Sequence, residues 1–277
     1  MGISPIGLIN TFNRTQGLLL QSAQRLATGQ RINAGRDDPA GLIASENLEA
    51  QLAALEAESR ALERNDAVVS TADAALAQVG DMLTEGEALA VAAANTGAMS
   101  DAERDALQLE MDSINQSVDR TLRSASFGGV PLFNGDVSIP AGGDSFDLDA
   151  MTASSLGETD IDGTVYSQSD TSNGEALAIN GDRPGDAQSV IGASIEQIAT
   201  LRGRIGAFQK NEIGARRAGV LAEIENVSAA NSIIRDTDYA AETAKQARLQ
   251  TLAASSGAVL ALANQNNALP LIGGING

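Results

Sequence analysis

A heptad of aliphatic residues constrains this chain more than any other feature. Leu48, Leu55, Leu62, Val69, Leu76 and Leu83 recur every seven residues between about Ala44 and Asn95. The companion positions are Leu52, Ser59, Asp66, Asp73 and Gly80, so one seam is greasy and the other small or polar. About fifty residues of helix span ~75 Å. A helix of that length cannot bury its own stripe and needs long partners. The chain supplies one. Ile191, Ile195, Ile198, Leu201, Ile205, Phe208, Val220, Ile224, Val227 and Ile234 mark a second long helix from about Ala187 to Asp236. It carries Arg202, Arg204, Lys210, Arg216 and Arg217, whereas the first is acidic. Antiparallel pairing satisfies both stripes and both charges.

Shorter helices frame these two. Leu8, Phe12, Thr15, Leu19, Ser22 and Leu26 step by four and three, and Gly29 ends that stripe. The stretch RINAGRDDPAGLIAS reads as a structured loop, with Asp38 an N-cap and Pro39 in the first turn of the long helix. Asn95, Thr96 and Gly97 break that helix. Ser100 and Glu103 form a capping box for the next, whose stripe is Leu107, Met111, Ile114, Val118, Leu122 and Ala125. A last helix, about Tyr239 to Asn264, places Leu249, Leu252, Leu260 and Ala263 on or near one face, ahead of a Gly-rich tail. Between 128 and 186 the pairs Asn134-Gly135, Asn173-Gly174 and Asn180-Gly181 signal hairpins. That segment reads as a few hairpins and a small acidic insertion, without a full second core. The expected fold is mainly α: a long antiparallel helical bundle or coiled-coil rod, a small β-hairpin region, and termini paired at one end.

Composition narrows the chemistry. Among 277 residues there is no Cys, His or Trp. That removes disulfides, thiolate nucleophiles, cysteine metal sites, Ser-His-Asp triads and HExxH sites. With 36 acidic and 18 basic residues the net charge is -18, which argues against wrapping nucleic acid. Asp37-Asp38 and Asp236/Asp238 each precede a helix and read as caps. Glu158, Asp160, Asp162 and Gly163 resemble the start of a calcium loop, but Ser169 stands where the closing Glu is needed. The 202–217 window lacks interleaved aromatics and reads as an internal salt-bridging face. No catalytic, metal or cofactor residue is expected. No run suits a membrane span: Leu252 to Ala263 is too short. MGISPIGLINTFNRT lacks the parts of a secretory signal, so the chain reads as cytosolic unless a leaderless export route exists.

Residues 1–13 and 249–277 have no charged side chain, while 46–190 hold most of the acid. In a monomer such amphipathic ends expose apolar stripes. Buried against further copies they become an inner wall, since repeated contacts that do not close give open helical polymers.

QRLATGQRINAGRDDPAGLIASENLEAQL (24–52) resembles the N-terminal signature of bacterial flagellin. ENVSAANSIIRDTDYAAETAKQARLQTLAASSGAVLALANQ (225–265) is similar to its C-terminal signature, and SFGGVPLFNG (126–135) to the loop after its third helix. The resemblance covers roughly 1–135 and 178–270. It implies a subunit exported unfolded through the flagellar type III route to the extracellular flagellum, polymerising into the filament for swimming. It also implies five segments. These are an inner-core helix and spoke (1–44), the first part of a long-helix wall (45–135), a short variable hairpin insertion (136–177), the wall's return (178–237) and a C-terminal inner-core helix (238–277). Leu8, Phe12, Leu19, Leu26, Leu249, Leu252, Val259 and Leu260 would serve the inner core. Arg31, Asn33, Asp37 and Asp38 would bond within and between subunits in the spoke.

The implied partners are further copies of the chain, alone or with other flagellins, an export chaperone at Tyr239–Asn264, the filament cap and hook-associated proteins. Of the family's innate-immune receptor patch, Leu89 and Glu110 match the pattern. Glu85 stands where Arg is typical and Ala92 where Gln is, which implies weak activation of the Toll-like flagellin receptor. Two other readings compete: a hook–filament junction protein with similar ends, and a coiled-coil adhesin or scaffold. An enzyme is remote.

Overall fold

The structure, a computed structural model, describes residues 5–95 and 99–273, the side chains of 5, 263, 264 and 266–273 excepted. The helices are α1 (Pro5–Thr28), α2 (Pro39–Ala94), α3 (Asp101–Ser124), α4 (Pro184–Phe208), α5 (Gly214–Arg235) and α6 (Tyr239–Gly273). Contacts divide the chain into two compact units, 57–222 and 1–56 with 223–277.

The helix starts follow local chemistry. Asp38 caps α2, its Oδ1 accepting the Gly41 amide at 2.9 Å, and Pro39 opens the first turn, where an amide would have no partner. Ser100 and Glu103 form a reciprocal capping box on α3. The expected break at Thr96 and Gly97 lies outside the described residues. So do the side chain of Ala263 and the end of the Gly-rich tail. α6 passes its expected stop at Asn264 and runs to Gly273.

In unit 57–222 the greasy seam of α2 forms the core. Val69, Leu76, Val79 and Leu83 pack with Ile114, Val118 and Leu122 of α3 and with Ile198, Leu201, Ile205 and Phe208 of α4. Asp73 pairs with Arg202 (2.9 Å), whereas the earlier Glu63 and Glu58 pair with the later Arg217 (3.3 Å) and Arg216 (2.6 Å), so the pairing is antiparallel. They are partly exposed, and contribute orientation more than stability. The second long helix is not one uninterrupted α-helix. Gln209–Ile213 forms a π-turn joining α4 to α5. Its cause is visible in the stripe: Phe208 and the next buried residue, Ile213, are five apart, and a π-turn absorbs the extra residue.

Three antiparallel hairpins follow α3: β1 (Ser126–Phe127) with β2 (Val130–Pro131), β3 (Val137–Ala141) with β4 (Asp144–Leu148), and β5 (Thr159–Ile161) with β6 (Thr164–Tyr166). None turns at an Asn-Gly pair, contrary to the sequence expectation. The turns are Gly128-Gly129, Gly142-Gly143 and Asp162-Gly163, and all six residues have positive φ. A tight hairpin turn of this kind needs that at both central positions. At Asn134-Gly135 and Asn173-Gly174 only the glycine has it, and at Asn180-Gly181 neither residue does.

The insertion extends the helical core. Leu132, Phe133, Ile139, Phe146, Leu148, Met151 and Leu156 join the main cluster. Leu177 and Ile179 pack with Ala90, Met111, Val190 and Ile191 in a second. Buried amides pin it further. Gln168 Nε2 donates to Asn115 Oδ1 (2.8 Å), Asn115 Nδ2 to Thr171 Oγ1 (2.9 Å), and Ser194 Oγ to Gln168 Oε1 (3.1 Å). Gly157, at φ 67°, lies so close to Ser194 that any side chain would collide with it.

Candidate assembly surface

Unit 1–56 with 223–277 brings the uncharged ends together. α1 and α6 run antiparallel. Near one end an added Cβ at Gly29 would sit 2.8 Å from the Tyr239 hydroxyl, and farther along one at Gly257 would sit 3.6 Å from the Phe12 ring. Gly29, at φ 73°, closes α1 with its amide on Arg25 O at 2.9 Å. The face of α1 toward its partner is the stripe read from sequence: Thr15 and Ser22 are buried, and Leu8, Phe12, Leu19 and Leu26 are half-buried. On α6 the inward residues are Glu242, Leu249 and Ala253, with Ser256, Gly257 and Leu260 half-buried.

Two residues expected to serve the inner core face away from α1. Leu252 is 57% exposed and Val259 is exposed as well. Leu252 is three residues from Leu249, which swings it off the seam. These two share the outer surface with Ile6, Ile9, Leu20 and Leu262, of which Leu20 is 72% exposed. The most buried seam positions of α1 are the small Thr15 and Ser22, and Leu20, Leu252 and Leu262 are left outside.

Sequence reasoning missed Glu242. It is a buried carboxylate, 3.2 Å from Lys245 Nζ and 3.9 Å from Arg25. Burial pushes its carboxyl up, but the Ser22 hydroxyl beside it and the Lys245 and Arg25 charges outweigh this and hold it below the ordinary range. Its spacing of seven from Leu249 was the available signal.

The spoke segment joins α1 to α2 and is held by the α5–α6 junction. Arg31 donates its amide to Arg235 O and its Nη2 to Ile234 O, both at 2.6 Å. Gln30 bridges Asp236, and the Thr237 amide reaches Gly29 O at 2.8 Å. Asn33 Nδ2 donates to Gln30 O at 2.7 Å. Asp37 accepts from the Asn33 and Ala34 amides (3.2 and 3.1 Å) and from Gln21 Nε2 (3.0 Å). Partial burial pushes the Asp37 carboxyl up, but these donors and Arg25 hold it below its usual value. Arg31 thus ties the spoke to the α5–α6 junction, Asn33 and Asp37 close its own turn, and Asp38 serves the α2 cap.

Other candidates are structural. Asp238 Oδ1 accepts the Ala241 amide at 3.0 Å, capping α6, and Asp160 accepts the Gly163 amide at 2.8 Å, closing a hairpin turn. Among the described residues no three potential metal ligands gather. A cleft of about 490 Å³ between 149–158 and α4 is lined by Asp149, Glu158, Glu196, Gln197 and Arg204 among others. No helix among the described residues is long and apolar enough to cross a membrane. On α2, Glu85 and Ala92 are exposed and Leu89 is half-buried; Glu110 on α3 is exposed.

Comparisons with known proteins align with these ends. The family model described as the bacterial flagellin N-terminal helical region matches residues 6–138, and that of the C-terminal helical region matches 189–272. A flagellar filament 30.7 kDa core protein of Treponema maltophilum is 30% identical over 90% of this chain and 90% of its own. A flagellin of Bacillus subtilis is 30% identical over 96% of this chain and 98% of its own. A solved structure from Vibrio parahaemolyticus, of a "putative flagellar hook-associated protein", superposes with a TM-score of 0.58 at 16% identity. It covers 72% of this chain and 99% of its own, a likeness of fold.

Proposed function

This chain belongs to the bacterial flagellin family, and on that premise we propose that α1 and α6 form the surface through which its copies join. The protein is a structural subunit of the flagellar filament, and the filament's motility is the activity it serves. The observation that carries the proposal is the outer face of the α1–α6 pair, where Ile6, Ile9, Leu20, Leu252, Val259 and Leu262 are exposed. No charged residue lies between 249 and 277 to keep that face in water. In a helical polymer the same side chains meet further copies and the exposed area is removed.

In this reading 1–44 and 238–277 line the inner core, 45–135 and 178–237 form the wall, and 136–177 is the family's variable insertion. Leu8, Phe12, Leu19, Leu26, Leu249 and Leu260 hold the pair together, and Leu252 and Val259 reach the next subunit. Arg31, on the α5–α6 junction, and the Asn33–Asp37 turn set where the pair leaves the wall. The subunit is exported to the extracellular flagellum, with an export chaperone at α6 and the cap and hook-associated proteins as further partners. Glu85 and Ala92 support weak activation of the Toll-like flagellin receptor; full potency in a reporter-cell assay overturns that part.

The test is Leu252→Asp. Its side chain lies outside the intramolecular seam, so the monomer should keep its helical circular dichroism. Burying an unpaired carboxylate at each subunit contact should abolish pelletable filaments. Normal filaments by electron microscopy would sink the proposal.

A further inference from the structure

We propose that Asn173 is a site of spontaneous deamidation, and that the fold makes it the fastest of the three Asn-Gly pairs between 128 and 186. Local sequence treats the pairs alike, because each places a glycine without side-chain bulk after the amide. The fold treats them differently. Asn173 is exposed and sits with Gly174 at the centre of a turn closed by the Glu175 amide on Ser172 O at 3.0 Å. With Gly174 at φ 83° and Asn173 at negative φ, this is the type II arrangement. The Gly174 amide points away from the closing bond and has no acceptor among the described residues. Around Gly174 an added Cβ would meet nothing within 4 Å. The Asn173 carboxamide likewise has no hydrogen-bond partner among the described residues, so it is free to rotate toward the following nitrogen.

The other two pairs are restrained. The Asn134 side chain is held at both atoms by Asp136: Oδ1 accepts the Asp136 amide and Nδ2 donates to its carboxylate, both at 3.1 Å. At Asn180, Nδ2 donates to Asp105 Oδ1 at 2.9 Å. The nucleophile there is engaged as well, since the Gly181 amide donates to Ala178 O at 2.9 Å. Reaction requires the amide nitrogen and the side-chain carbon to reach a near-attack arrangement, and each of these bonds must break first.

The step is balanced with water alone. The Gly174 nitrogen attacks Asn173 Cγ, a new C–N bond forms, and the side-chain nitrogen departs as ammonia with the former amide proton. The cyclic imide then takes up one water, which opens either of its two C–N bonds to give aspartate or isoaspartate. Either product adds a negative charge in place. The Asn173 amide donates to Asp112 Oδ1 at 2.8 Å, so the new carboxylate forms beside an existing one and repels it. The isoaspartate also lengthens the backbone within the turn. Both changes loosen the tie of 172–175 to α3.

The full-length protein is incubated at mildly alkaline pH, native and in urea, and mapped by peptide fragmentation that distinguishes aspartate from isoaspartate. In the native protein Asn173 should convert several-fold faster than Asn134 and Asn180. In urea the three rates should converge. Asp136→Ala should raise the rate at Asn134 toward that at Asn173, and Asn173→Gln should remove the fastest component among these three sites. An Asn173 rate no higher than either other site in the native protein overturns the proposal. So does an Asn134 rate left unchanged by Asp136→Ala.

Discussion

Both units are built from antiparallel helices, and they differ in what fills the space between them. In 57–222 that space holds Val69, Leu76, Leu83, Val118, Ile205 and the aromatic pair Phe146–Phe208, ring centroids 5.1 Å apart. In 1–56 with 223–277 the buried apolar residues among those described are Ile32, Leu249 and Ala253. The rest of that interior is polar: Thr15, Ser22, Ser45, Thr237 and Glu242. Large side chains turned inward make a unit that is stable alone. Where the most buried positions are small or polar, several large apolar side chains stay exposed. The same aliphatic content therefore gives a filled apolar interior in one region and an exposed apolar face in the other.

The largest expected difference is in local opening. Amides of α1 and α6 in the unassembled subunit should exchange orders of magnitude faster than those around Val69–Leu83, because little apolar area is lost when the pair opens. On polymerisation the two sets should converge. Equal protection in the monomer breaks the comparison.

Matched truncations come next. Leu83→Ala removes a side chain with no exposed surface from the main core and should destabilise unit 57–222 by about 2–5 kcal/mol in urea unfolding. Leu249→Ala should leave that transition in place, since its cavity lies in the other unit, and should instead raise the concentration needed for assembly. A shift of the main transition by Leu249→Ala as large as that by Leu83→Ala would show that the two interiors are not separate in energy.

The legibility of the sequence follows the same division. Wherever burial is deep and one-sided, the pattern was readable. The α2 heptad, the α3 stripe with its capping box, and the antiparallel charge match all appear where the residues put them. The π-turn at 209–213 was concealed because a single extra residue in a stripe resembles noise, although the step from Phe208 to Ile213 carried it. The hairpins were expected at asparagines and occur at Gly128-Gly129, Gly142-Gly143 and Asp162-Gly163. Strand register there is set by which residues the helices bury, such as Ile139 and Phe146. The α1–α6 surface was the least legible. With Ala, Ser, Thr and Leu on both faces of α6, hydrophobicity does not say which face is inward. Leu252, expected on or near one face with Leu249, lies off the seam, and Glu242 is buried without any hydrophobic signal.

The smallest expected effect is acid sensitivity, and it bears on that buried carboxylate. Glu242 and Asp37 both lie in the unit with the polar interior, and both are held below the ordinary carboxylate range. A group whose pKa is lower folded than unfolded binds fewer protons in the folded state. Its contribution is complete above the unfolded pKa and is lost as pH falls through the folded one. Protection of α1 and α6 amides should therefore decline below the ordinary range of glutamate and aspartate, before unit 57–222 responds. That unit also has one such carboxylate, Glu103, but it is exposed and serves only the start of α3. Glu242→Gln keeps the shape and removes the charge facing Arg25 and Lys245. It should cost about 1 kcal/mol at neutral pH and flatten the acid response of α1 and α6, with Asp37→Asn removing most of what remains. An acid response that persists undiminished in the double variant would show that the carboxylates do not hold the pair, and that the weakness of this unit lies in its small apolar seam alone.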